Sequence, residues 1–142
     1  GYKIYLSQEI KARYHVRASF RKLFKQYFQY GYWKVYVNKK HKTLTTIRQL
    51  APLFFVLFCL SGLLVPFLPE YWIFGYIIIM GSYLSLSIIS ALMKTLNPIA
   101  IVQMMFTFLI LHLSYGIGYL EGIVNFYLLN KKPNPEKTTL SR

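Results

Sequence analysis

The sequence predicts a mainly α-helical integral membrane protein, with a short pair of β-strands ahead of an amphipathic helix and three apolar helices. Three observations predict it. First, the residues after position 48 fall into long apolar runs, and 55% of the 142 residues are hydrophobic against 15% charged, too little charge to cover so much apolar surface in a soluble domain. Second, the charge is lopsided: the net value is +13, and twelve of the seventeen Lys and Arg residues precede position 49. Third, Phe20, Leu23, Phe24, Tyr27, Phe28, Gly31 and Val35 recur at helical spacing, with Lys22, Lys25, Gln26, Gln29 and Trp33 opposite them.

In chain order, residues 1–17 are expected to form strands. Tyr2 to Leu6 suits a short strand, Ser7-Gln8-Glu9 a turn, and Ile10 to Arg17 alternates apolar with cationic or polar residues, the pattern of a half-buried strand. Two short strands are marginal alone, so the rest of their sheet is expected from upstream sequence or another chain. Position 1 is Gly, and the chain reads as a piece of a longer protein.

Residues 18–42 are expected to form an amphipathic helix lying on a bilayer surface. Ser19 is suited to cap it, and Lys39-Lys40-His41-Lys42 places cations at its C-terminus, where the helix dipole favours them. Arg21 and Lys22 in the first turn have the wrong sign for that dipole. Together with Arg17 they are candidate contacts for a phosphate or for lipid headgroups. Trp33, set among polar residues one turn after Gln29, is expected to stand clear of any core.

The apolar region 49–129 divides into predicted spans at about 49–68, 71–93 and 98–129. Pro52 is placed in the first turn of the first span, Pro66 and Pro69 at its exit, and Tyr71 and Trp72 in an interfacial aromatic belt. Asn97-Pro98 supplies a cap followed by proline at the first helical position. The third segment exceeds a bilayer as one straight helix, so it is expected to tilt, protrude or break, most naturally at Gly116 or Gly118. Residues 130–142 are a polar tail. The cations place the N-terminal region in the cytoplasm of a multi-pass protein of the inner (plasma) membrane. Three crossings, however, would put Lys131 and Lys132 on the opposite side, against the same rule.

Several chemistries are excluded or reduced. There is no Asp, and the four acids Glu9, Glu70, Glu121 and Glu136 do not cluster in sequence. No triad, phosphate-binding glycine loop or Cys/His metal motif is present, and Cys59 stands alone in an apolar run. Nucleic acid is not an expected partner, because the aromatic and cationic residues adjoin apolar spans rather than forming a soluble basic domain. Anionic lipids are. His112 is expected to hydrogen-bond between helices, with Tyr115 and Tyr119 on its helical side, or else to meet a lipid-linked substrate. Gly118 and Gly122 are expected to permit close packing against an unnamed partner.

The stretch Lys25-Gln26-Tyr27-Phe28-Gln29-Tyr30-Gly31-Tyr32-Trp33-Lys34, with Arg17-Ala18-Ser19-Phe20, Arg48-Gln49-Leu50-Ala51-Pro52 and His112-Leu113-Ser114-Tyr115-Gly116, resembles the C-terminal membrane region of family 2 glycosyltransferases of the succinoglycan-biosynthesis ExoA type. In that family a GT-A catalytic domain ends in a strand, an interface helix and a few spans. Gly1 to Leu6 looks like the stretch after the family's acidic catalytic-base motif. Gln29-Tyr30-Gly31-Tyr32-Trp33 is similar to the family's (Gln/Arg)-x-x-Arg-Trp motif, with Tyr32 in place of the arginine.

The resemblance implies a sugar transferred with inversion from a nucleotide sugar to a lipid-linked glycan acceptor in surface polysaccharide assembly. Gln29, Trp33, Gln26 and Lys22 would lie near the acceptor, and His15 near a divalent metal. The complete enzyme would use Mg or Mn held by an Asp-x-Asp pair in an upstream catalytic domain. A segment without Asp is therefore expected to bind no such metal, and to be inactive, alone. The competing expectation from the residues themselves is a non-enzymatic cationic membrane anchor or scaffold, with Trp33 an interfacial anchor.

Overall fold

The computed structural model describes residues 19–42 and 46–133, and its elements are four α-helices. They are α1 (Phe20–His41), α2 (Ile47–Ser61), α3 (Glu70–Leu92) and α4 (Pro98–Ile123), the last continuing into a π-helical turn, Val124–Leu128. The expected strand pair lies outside the described residues, as does the tail beyond Pro133.

Each boundary has a local cause. Ser19 Oγ accepts from the Lys22 amide at 3.3 Å, and α1 ends where Lys42 turns left-handed and its N–H bonds the Asn38 carbonyl. Asn97 Oδ1 accepts from the amides of Ile99 and Ala100, with Pro98 in the first turn of α4. These caps match the sequence. Serines in the apolar α3 return their hydroxyls to the preceding turn: Ser82 to Ile78, Ser87 to Tyr83 and Ser90 to Leu86. Their polar atoms are thereby satisfied without a partner helix.

The first predicted span is corrected. Instead of a helix to residue 68, α2 begins at Ile47 and stops after 15 residues at Ser61; a turn and a short 3₁₀ segment, Val65–Phe67, follow. Proline explains the early end, since Pro66 has no N–H to give the Gly62 carbonyl and its ring would crowd that carbonyl in a continued helix. Pro52 consequently sits in the second turn of α2. At about 1.5 Å per residue α2 reaches only about 22 Å, short of a hydrocarbon core of about 30 Å. Among the described residues two helices are long and apolar enough to cross a membrane: α3, with 23 residues, and α4 with its π turn, 31 residues. Their flanks are uncovered, as at Ile78 (70% exposed) and Ile99 (69% exposed).

The glycines of α4 do not break it. The helix runs unbroken through Gly116 and Gly118, and the glycines are the places where its neighbours approach. A Cβ at Gly116 would strike the Pro52 carbonyl of α2, and one at Gly118 the Phe28 carbonyl of α1. One at Gly122 would lie 2.9 Å from the Tyr32 carbonyl, and one at Gly31 would strike the Tyr115 carbonyl. Phe28 thus meets Gly118, Tyr32 meets Gly122 and Lys39 meets Phe126, so α1 runs parallel to the second half of α4.

The expected amphipathic helix is thus also packed against another helix of the chain. Its buried residues are Gly31, Tyr32, Val35 and Asn38, a stripe rotated toward Tyr32 from the predicted apolar face, while Phe20 and Phe24 remain exposed. The reason is that close backbone approach at glycines, rather than side-chain size, selects the packing face. Helix α4 contacts all three other helices and is the centre of the fold.

Candidate functional site

Lys22, Gln26, Gln29 and Trp33 are spaced four, three and four residues apart, which lines them along one side of α1. Gly31, Val35 and Asn38, buried against α4, lie on the opposite side. Lys22, Gln26 and Gln29 thus lie on the side of α1 turned from the glycines of α4, while Tyr32, also buried, lies between the two sides and Trp33 reaches the core cluster. Lys22 and Arg21 are exposed, while Gln26 and Gln29 are half-buried. The Gln26 amide donates to the Tyr30 hydroxyl at 2.8 Å, which fixes its orientation along the helix.

Trp33 departs from its expected setting. It is half-buried, edge-on to Tyr32 (ring centroids 5.3 Å) and Tyr36 (5.9 Å), and 6.2 Å from Phe126. Phe126 is 1% exposed and anchors this group from the π turn. Trp33 is thus the rim of an aromatic cluster. Such packing limits the indole to few orientations and leaves part of it accessible, the condition under which an aromatic can stack on a sugar without ordering itself first.

Behind the strip runs a polar seam that sequence reasoning missed. Asn38 donates to the Tyr119 hydroxyl at 3.5 Å, and Asn125 to the Tyr32 hydroxyl at 3.5 Å and to Glu121 Oε1 at 3.3 Å. Lys39 Nζ donates to the Phe126 carbonyl and, at 2.7 Å, to Asn130 Oδ1, and lies 5.4 Å over the Tyr127 ring. A signal for Asn38 was present: it follows Gly31 at i+7 and Val35 at i+3, a polar residue on a packing stripe.

His112 makes the expected contact between helices, and its partner there is Tyr83 of α3. Its Nδ1 lies 2.7 Å from the Phe108 carbonyl, which can only accept, so this nitrogen carries the proton; the Tyr83 hydroxyl stands 3.4 Å away. Its ring packs near Phe55 and Tyr83, linking α2, α3 and α4. Tyr115 and Tyr119 instead stack on each other. An apolar cavity of about 190 Å³ adjoins this group, between Tyr83, Leu84 and Ser87 of α3 and Met105, Phe106 and Leu109 of α4.

His15 and Arg17 lie outside the described residues. Among the described residues no three His, Cys, Asp or Glu side chains come together to hold a metal ion. Comparison with protein-family models, curated proteins and solved structures finds no match to this chain.

Proposed function

We propose that this segment is the acceptor-side and membrane-anchoring part of an inverting family 2 glycosyltransferase, which moves a sugar from a nucleotide sugar to a lipid-linked acceptor. The observation that carries the reading is the strip of Lys22, Gln26, Gln29 and Trp33, directed away from the glycine-packed face of α1 and ending in a partly accessible indole. Amides and an aromatic face are the groups that hydrogen-bond and stack on a saccharide, and α3 and α4 are apolar enough to hold the strip at a bilayer. The divalent ion and nucleotide sugar belong, in this reading, to an upstream catalytic domain.

The second reading, a non-enzymatic anchor, is favoured by one specific observation: Trp33 contributes to packing against Phe126 and so has a structural use. Sugar transfer by membranes expressing the full reading frame separates the two. Transfer is expected to fall strongly in Trp33→Ala and much less in Trp33→Phe, which keeps a ring for stacking, with membrane insertion unchanged in both. Phe126→Ala, which loosens the cluster but keeps the indole, should cost less than Trp33→Ala. Wild-type transfer in Trp33→Ala rules out the stacking role, and an upstream frame lacking any Asp-x-Asp rules out the enzyme.

A further inference from the structure

The last turn of α1 and the end of α4 are tied together by Lys39, whose ammonium bonds the Phe126 carbonyl and Asn130 Oδ1. Because the two helices run parallel, Lys39, Lys40 and Lys42 lie at the same end of the protein as Lys131 and Lys132. Only four residue steps separate Lys42 from Thr46, a reach of at most about 14 Å, so Arg48 in the first turn of α2 belongs to this end as well.

That contact sets a parity. A chain that leaves one side of a bilayer after Lys42 and returns to the same side by Asn130 crosses an even number of times. Three apolar helices lie between those positions, so at most two of them cross. The one that does not is the short one, α2, whose span of about 22 Å falls below a hydrocarbon thickness. With α3 and α4 as the two crossings, the conflict posed by three spans disappears. The cations at positions 39, 40, 42, 48, 131 and 132 then share one face, and Lys94, between α3 and α4, stands on the other.

We infer that the ends of α1 and α4 and the start of α2 form one cationic collar seated on an anionic phospholipid leaflet, with two crossings and α2 held within that leaflet. Charge complementarity selects this occupant: no acid lies among residues 39–42 or 46–49, or among 130–133, while the neighbouring surface is apolar. The inference does not depend on the glycosyltransferase reading.

The test uses the unaltered chain in sealed vesicles, a membrane-impermeant amine reagent applied from one face at a time, and peptide mass spectrometry of the lysines. Lys40, Lys42, Lys131 and Lys132 are expected to gain the label from one face and Lys94 from the other. Labelling of Lys40 and Lys132 from opposite faces overturns the topology. When phosphatidylglycerol is added to phosphatidylcholine vesicles, labelling of the collar lysines should slow relative to Lys94. Equal slowing at Lys94 overturns the anionic seat, because it reports only general repulsion of the charged reagent.

Discussion

Replacing Gly118 with Ala tests whether α1 is held to α4 by backbone proximity. The added methyl would meet the backbone of Phe28 at its carbonyl, where no flexible side chain can yield, so the helices must separate. Overpacking against such a wall costs about 3 kcal/mol, the upper end of the usual range, and the better helix propensity of Ala returns about 1. The net is about 2 kcal/mol, a roughly 30-fold shift toward an undocked α1. Gly81 is the control, since a Cβ there meets nothing within 4 Å. Gly81→Ala should therefore leave docking intact, or raise stability by up to about 1 kcal/mol. Trp33 packs on Phe126, so in a Trp72→Phe background its fluorescence reports docking, and emission should shift to the red in Gly118→Ala only. Equal spectra and equal melting in detergent for the two variants would refute the argument.

Other substitutions test other joints. Lys39→Met should speed hydrogen exchange at the Leu129 and Lys131 amides, which bond the Val124 and Asn125 carbonyls, at a cost of about 1.5 kcal/mol for the lost charged hydrogen bonds; Lys40→Met should not. Ser19→Ala should destabilise the first turn of α1 by about 1 kcal/mol, read as faster exchange at the Lys22 amide with no change near Lys39. His112→Leu and Tyr83→Phe should each cost about 0.6 kcal/mol in thermal unfolding, and the double variant less than the sum of the two. Gly116→Leu should expel α2 from α4, detected as loss of crosslinking between cysteines placed at Phe55 and His112, whose rings lie 5.6 Å apart.

The sequence was informative where a local rule acts alone. Ser19, Asn97 and the Lys39–Lys42 run gave the ends of α1 and α4 because capping depends on a few neighbouring atoms. It misled where the outcome depends on another segment. Counting apolar residues ran the first span on to residue 68, because hydropathy does not register that Pro66 removes a donor two residues before that end. The helical wheel of α1 set the buried stripe by bulk, whereas Gly31, Gly118 and Gly122 set it by proximity. Trp33 was read as isolated because its neighbour Phe126 is 93 positions away in sequence, and no local pattern reports such a pairing.

The central position of α4 has a consequence for biogenesis. Because α1, α2 and α3 all lean on a helix that emerges after them, none can reach its final seat until α4 is made, and α1 waits longest, for Asn130. Until then the faces of α1 and α2 that meet the glycines of α4 stay open, and assembly comes late with large sequence separation rather than as a stepwise build-up. A nascent chain arrested near residue 113 should accordingly hold its three emerged helices without fixed mutual order, exposed to quality-control proteases, and become resistant only when the last turn is released.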